Sequence, residues 1–288
     1  MDKLRSLKNP EKKITAIGLG AMPLSLQGRP DEALSIKIIE SFIEDGGNFI
    51  DTANVYCIDD TEVGHNERLI HKAISNFEEQ YDIIIATKGG LKRPKGRWDV
   101  DASPEWLRQS CEKSLKDLNI DSIHIYQLHA PDPNIPLSDS IGELVRLKEE
   151  GKIRAIGLSN VNNEELEIAL TITPITSVQN KFNIFERMSL RNGVIENCKK
   201  KNILFIAHSP VGGHFGHGML AECKTLTGLA KKYYVSPYQI ALAWLLQQGE
   251  HILPIPGASK ISSIKDSLKA LDILLEQEDL DLITSLSD

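Results

Sequence analysis

The chain has 288 residues, 41% of them hydrophobic and 25% charged, which is enough apolar material for one large core. Forty acids against 33 lysines and arginines give a net charge of −7. That balance excludes a general surface for nucleic acid or anionic membrane, while leaving room for a local basic pocket. No apolar run reaches the roughly 18 residues of a membrane span, the charged segment 1–13 lacks a secretory apolar core, and Cys57, Cys111, Cys198 and Cys223 show no paired spacing. A cytoplasmic protein with reduced thiols and no evident protein partner is expected.

In chain order, residues 14–20 read as a strand entering a Gly-rich turn, with a short partner at 4–7. Residues 31–45 have helical periodicity and stop at Gly46. A strand at 48–51 ends on Asp51, a helix covers 66–75, and the apolar strand 82–87 ends at Lys88. Ser103 and Pro104 start a helix that runs to about residue 118. Strand 122–128 ends at His129, and helix 138–150 is stopped by Gly151. Strand 153–158 ends at Ser159-Asn160 and leads into a helix over 163–170; strand 175–178 ends at Gln179-Asn180. A helix over 190–201 precedes strand 203–207, which ends at His208-Ser209-Pro210. A Gly-rich loop is read over 211–218, then helices over 222–234 and 237–248. The last strand, 251–255, ends at Pro256-Gly257, and helices over 262–274 and 278–286 close the chain.

Eight strands alternating with helices require parallel pairing, because each helix carries the chain back across the sheet. The expected fold is therefore a single α/β domain over residues 1–288. It is a (β/α)8 TIM barrel with an extra C-terminal helix and a short N-terminal hairpin. A doubly wound sheet usually carries Gly-x-Gly-x-x-Gly after its first strand; here Gly18-Leu19-Gly20 is followed by Ala21-Met22-Pro23.

In a barrel, the strand ends converge on one mouth, where sites of this architecture lie. That would gather a carboxylate (Asp51), a phenol (Tyr56), an ammonium (Lys88) and an imidazole (His129) in one cleft. An ammonium beside a phenol favours the phenolate and pulls its pKa down. The carboxylate keeps the lysine charged, and the imidazole orients a carbonyl oxygen. The set suits proton donation to an oxygen that gains negative charge.

Four runs carry a resemblance: Asp51-Thr52-Ala53-Asn54-Val55-Tyr56, Gly64-His65-Asn66-Glu67-Arg68-Leu69-Ile70, Ala86-Thr87-Lys88 and Leu128-His129. So do Ile156-Gly157-Leu158-Ser159-Asn160, Val178-Gln179-Asn180, Ser209-Pro210 and Ile255-Pro256-Gly257. In this order the chain resembles the aldo-keto reductase superfamily, whose members are barrels that reduce aldehydes and ketones with a nicotinamide cofactor, usually NADPH. The resemblance implies Tyr56 as proton donor, Lys88 paired with Asp51 beside it, and His129 placing a small-molecule carbonyl substrate. It implies Ser159, Asn160 and Gln179 on the nicotinamide carboxamide, and Ser209, Pro210, Val211, Gly212 and Gly213 over the pyrophosphate. Gly257, Ala258, Ser259, Lys260, Ser263, Asp266 and Ser267 fall in the segment for the adenosine phosphate end.

Three positions depart from the family pattern. His208 stands where an aromatic residue stacks on the nicotinamide, and its charge state matters to a cationic oxidised cofactor. Cys57 replaces the usual glycine after the tyrosine and is followed by the acidic pair Asp59-Asp60. Ser263 stands where many members carry an arginine, so NADH remains an alternative to NADPH. Met22, Cys57 and Trp98 are read as lining the substrate pocket. Lys92, Arg93, Lys95 and Arg97 make the loop before Trp98 basic; solvated charges are the plain reading and an anionic substrate the alternative. His214 and His217 lack a third ligand, so no metal is expected. Two other functions compete with carbonyl reduction: a cofactor-binding regulatory or sensor barrel with little turnover, and a Schiff-base aldolase using Lys88.

Overall fold

The computed structural model describes residues 2–8, 11–77 and 82–287, apart from the side chains of residues 214, 215 and 287. The chain opens with an antiparallel hairpin, β1 (Leu4–Leu7) and β2 (Lys12–Thr15). The alternating pattern then begins with β3 (Leu19–Gly20), α1 (Glu32–Glu44), β4 (Phe49–Asp51), α2 (His65–Ile74) and β5 (Ile84–Gly89). A small hairpin, β6 (Leu91–Lys92) and β7 (Asp99–Val100), stands on the rim before α3 (Pro104–Leu118). Then come β8 (Ile123–Leu128), α4 (Leu137–Glu149), β9 (Ile153–Ser159), α5 (Asn163–Ile172), β10 (Ser177–Lys181), α6 (Met188–Arg191) and α7 (Val194–Lys201). The chain ends with β11 (Leu204–His208), α8 (Gly213–Glu222), α9 (Lys224–Tyr233), α10 (Pro237–Leu246), β12 (Ile252–Pro254), α11 (Ile261–Lys269) and α12 (Gln277–Thr284).

Eight parallel strands run in the order β3-β4-β5-β8-β9-β10-β11-β12. The two edges meet. Gly18 and Gly20 donate their N–H groups to the carbonyls of Pro254 and Pro256, both at 3.0 Å, and Gly20 bridges Gly257 in parallel. Closure leaves the eight-stranded barrel without a free edge among the described residues. It also explains Gly20, where a Cβ would stand 2.7 Å from the Ile255 carbonyl oxygen. The (β/α)8 barrel read in the sequence is the observed fold.

The helices start and stop where side chains satisfy their free backbone groups. Asp31 accepts from the Leu34 amide at the head of α1, and Ser103 accepts from Trp106 with Pro104 in the first turn of α3. Ser236 and Gln239 form a reciprocal cap on α10. Two apolar layers result. Inside the barrel lie Phe49, Ile84, Ile125, Ala155, Leu204, Ile206 and Leu253, with Leu7 and Ile14 of the N-terminal hairpin closing the floor. Between strands and helices lies the larger layer, including Ile38, Phe42, Leu144, Phe205 and Trp244. Each such aliphatic or aromatic side chain contributes about 1.5–3 kcal/mol when taken from water.

The floor is also tied by polar bonds. Arg5, 1% exposed, donates Nε to the Ile252 carbonyl (2.9 Å) and Nη2 to the Leu246 carbonyl (3.3 Å).

Several elements differ from the sequence reading: the strand read over 14–20 is split between β2 of the hairpin and β3 of the barrel, and the loop read over 89–102 carries the β6-β7 hairpin. Residues 213–222 form α8 rather than a loop; their glycines weaken a helix, but Leu220 is buried and His217 stacks on Tyr238 with ring centroids 4.3 Å apart. The single helix expected over 190–201 is two, broken at Gly193, whose φ of 82° no helix accommodates.

Candidate active site

Strand pairing fixes the site. Asp51 ends β4, Lys88 lies one residue from the end of β5, and His129 follows β8, so three neighbouring strands deliver them to one rim. The loop after β4 turns tightly, with the Tyr56 amide donating to Ala53, and brings the phenol back over the strand ends.

The four groups meet. Lys88 Nζ donates to Asp51 Oδ1 (2.6 Å), to the Thr52 carbonyl (2.8 Å) and to the Tyr56 hydroxyl (3.0 Å). Asp51 Oδ2 accepts from the side-chain amides of Gln179 (2.7 Å) and Gln127 (3.1 Å), so its carboxylate is fully engaged. His129 stands edge-on to Tyr56, ring centroids 5.9 Å apart, and its Nδ1 is buried without a hydrogen-bond partner among the described residues. Asn160, held at φ 56°, donates to the His129 carbonyl (2.9 Å) and fixes that residue from behind.

Burial sets the protonation states. It opposes the charge on Lys88, which is fully buried, but Asp51 and Tyr56 together hold its pKa above the ordinary lysine value. Burial is also the largest influence on Tyr56 and raises its pKa above 10, against the pull of Lys88. This corrects the expected net lowering: the ammonium acts in the direction read from the sequence, but desolvation outweighs it. His129 is driven well below the usual imidazole range by burial, then by Lys88 and His208. His208 is lowered to about 4 by burial, then by Lys88 and Lys181, so it is neutral at pH 7 and presents no positive charge.

The pocket wall differs in one member. Trp98 is 46% exposed and contacts both Tyr56 and His129, with centroids 6.4 and 6.5 Å away. Met22 packs against the cluster of Ala53, Val55, Tyr56 and Leu91. Cys57, read as part of the rim, is instead completely buried. Its Sγ faces the Val55 carbonyl at 3.3 Å, and burial raises its pKa to about 11.

A second cleft, of about 320 Å³, runs between the end of β10 and the start of α8, lined by Lys181, Asn183, Ser209, Gly212 and Gly213. Ser209, Gly212 and Gly213 all have positive φ. A Cβ at Gly212 would stand 2.4 Å from Gly216 backbone, so this tight turn admits only glycine. Pro210 and Val211 are buried beneath it, and Ser159 is buried at the end of β9.

At the head of α11, Gly257, Ser259, Lys260 and Ser263 are exposed and Ala258 is buried. Asp266 and Ser267 turn away. Asp266 accepts from Ser236 Oγ (2.6 Å) and Gln239 Nε2 (2.9 Å) of α10, and Ser267 donates to the Ser263 carbonyl (3.0 Å). Gln179, read as a nicotinamide contact, has its amide nitrogen committed to Asp51.

Sequence reasoning missed Gln127, the second amide on Asp51. Its signal was a polar residue inside the apolar strand Ile123–Leu128.

A closed parallel barrel with a buried phenol–ammonium–carboxylate set at its carboxyl rim defines an enzyme of the acid–base barrel class. The aldo/keto reductase family model matches residues 16–288, and the chain belongs to that family of NAD(P)H-dependent oxidoreductases. A protein of Glycine max described as a probable aldo-keto reductase is 32% identical over 299 residues, covering 93% of this chain and 84% of its own. An uncharacterized oxidoreductase of Schizosaccharomyces pombe is 36% identical over 279 residues, covering 95% and 87%. A thermostable aldo-keto reductase crystallised with the inhibitor epalrestat superposes with a TM-score of 0.84 at 31% identity, over 98% of this chain and 99% of that one. A Klebsiella pneumoniae aldo-keto reductase solved with NADPH shares the fold, with a TM-score of 0.83 at 24% identity over 100% and 96% of the two chains.

Proposed function

We propose that this chain reduces aldehydes and ketones to alcohols with NADPH, NADH being the alternative cofactor, and that Tyr56 supplies the proton. The observation that carries this reading is the buried contact of the Tyr56 hydroxyl with a lysine that Asp51 holds charged, 3.0 Å away. The nicotinamide, when bound, supplies hydride to the carbonyl carbon. The carbonyl oxygen then gains negative charge, and the phenol gives it a proton. Burial keeps that phenol protonated at neutral pH, and Lys88 stabilises the phenolate left behind. The neutral His129 ring orients the same oxygen.

The residues present fit such a cofactor. The Gly212-Gly213 turn and the first amides of α8 form a concavity suited to a pyrophosphate, with Lys181 on its edge. Ser159, Asn160 and neutral His208 would flank the nicotinamide end, and Ser259, Lys260 and Ser263 would hold the adenosine phosphate. The family's Klebsiella member solved with NADPH supports the choice of cofactor. A regulatory barrel would not need the intact proton-donor set, and Lys88 is too completely engaged to act as a Schiff-base nucleophile. No helix among the described residues is long and apolar enough to cross a membrane. We place the chain in the cytoplasm, where its four free thiols suit the reducing medium.

The test is Tyr56→Phe. It is expected to lower NADPH-dependent reduction of 4-nitrobenzaldehyde by about 100-fold or more while NADPH binding, read by fluorescence titration, is retained. Undiminished turnover removes Tyr56 from the role of acid.

A further inference from the structure

Strand β8 turns apolar Ile125 into the barrel, and Gln127, two residues on, takes the same face. Register makes Lys88, Gln127, Gly157 and Ser177 successive neighbours across β5, β8, β9 and β10. Such a ring of inward positions is usually filled by branched aliphatic side chains. Here Lys88, Gln127 and Ser177 are completely buried polar residues. Gly157 leaves the room they need: a Cβ there would stand 2.7 Å from Gln127 Cγ and 2.5 Å from Ser177 Oγ. The barrel thus holds an amide where a leucine would bury as well and leave no polar atom to satisfy.

The partners of Gln127 indicate its task. A carboxylate only accepts, so Gln127 and Gln179 both turn their Nε2 groups to Asp51 Oδ2, at 3.1 and 2.7 Å. The Gln127 carbonyl then faces Gln179, whose amide approaches it at 3.4 Å. Two strands therefore grip one oxygen of Asp51, while Lys88 grips the other at 2.6 Å. The carboxylate cannot pivot without breaking a charge-assisted bond. Lys88 Nζ, held by Asp51 and the Thr52 carbonyl, stands 3.0 Å from the Tyr56 hydroxyl.

We propose that Gln127 is a positioning residue of the proton donor: by pinning Asp51 Oδ2 it holds Lys88 in place against the Tyr56 hydroxyl. The inference rests on the carbonyl-reductase reading above and adds a residue that acts through Asp51. The charged groups facing Tyr56 are Lys88 and Asp51, and the neighbouring His129 and His208 are neutral.

The experiment uses two substitutions. Gln127→Met keeps the length of the side chain and removes both polar atoms. With NADPH and 4-nitrobenzaldehyde its kcat is expected to fall about tenfold or more, while the NADPH Kd from fluorescence titration and the KM for the aldehyde stay near the wild-type values. A residue that merely fills the barrel would leave kcat unchanged, and that result overturns the proposal. Loss of kcat with an equal loss of NADPH affinity marks damage to the whole site and overturns it too. Gln127→Glu keeps the shape and sets a second carboxyl against Oδ2. Two carboxylates so placed share a proton, and once it leaves, like charges face each other. The kcat of this variant is expected to be near that of the wild type at pH 6 and to fall by pH 9, a range over which the wild type stays level. Where Gln127→Met does not fold, a level profile in Gln127→Glu overturns the proposal. If the wild type reduces no aldehyde, the reductase reading fails separately. Carbon-13 NMR of labelled tyrosine in the cofactor-free protein then decides this inference, with the Tyr56 signal assigned by Tyr56→Phe. The Tyr56 phenol is expected to ionise at higher pH in Gln127→Met than in the wild type, because the Asp51 charge is less satisfied and Lys88 less firmly held. Equal midpoints overturn it.

Discussion

Tyr56, His129 and His208 share one physical condition, which is burial beside the fixed positive charge of Lys88. It acts in opposite directions on acids and bases: the phenol is held protonated and both imidazoles are held neutral. No histidine at this site titrates near neutrality, so kcat/KM for carbonyl reduction is expected to stay level from about pH 6 to 9. It should fall only above the ordinary phenol value near 10, as Tyr56 loses its proton. A step between pH 6 and 8 in that profile would contradict these assignments. At this scale the sequence was informative about which residues gather, because Asp51, Lys88 and His129 each stand at or beside the carboxyl end of an apolar strand. It could not weigh the loss of solvent against the pull of one lysine, since that depends on how deep the phenol lies. Arg93 was illegible for the same reason: a Lys-Arg-Pro-Lys-Gly-Arg run looks solvated until the fold lays Trp98 across one member of it.

Helix α2 meets the barrel through Glu67, which is fully buried and accepts from Thr87 Oγ1 at 2.6 Å, with the Ser114 hydroxyl as its second partner. Burial raises its pKa from 4.5 to about 7. The unfolded chain releases this proton near 4.5 and the folded chain only near 7, so between those values the folded state holds more protons and stability falls as pH rises. The whole effect is about 3 kcal/mol and is complete above pH 7. Glu67→Gln is expected to remove that slope and to raise unfolding free energy at pH 8 by up to about 3 kcal/mol. Urea unfolding at pH 5 and pH 8 checks it, and an undiminished difference between the two pH values would count against Glu67. Among the elements, α1, α3 and α10 were readable from their caps and apolar spacing. Helix α8 was not, because four glycines in residues 212–218 read as a loop and only packing against α10 decides otherwise.

At the scale of the molecule, the barrel is closed by backbone contact at Gly20, Gly257 and the carbonyl of Ile255. Gly20→Ala is expected to cost about 1–3 kcal/mol, because the backbone must move to admit a methyl group. Gly142→Ala, in α4 with nothing within 4 Å, is expected instead to gain up to about 1 kcal/mol. Thermal unfolding of the two variants checks both signs, and equal shifts would deny the seam its importance. The alternation of elements made the barrel legible; its closure was not, since it depends on two glycine-bearing strands meeting across the whole length of the chain. The N-terminal hairpin has a further effect. Leu7, Ile14 and Arg5 stopper one end of the cylinder. Behind Asp51, the hydrogen bonds among the described residues end at the amides of Gln127 and Gln179, which do not titrate. Under the proposed chemistry, each hydrogen ion Tyr56 gives away must therefore be replenished from the same side on which the alcohol departs. Recharging the acid and emptying the vessel share a single doorway, and neither can finish while that doorway stays blocked.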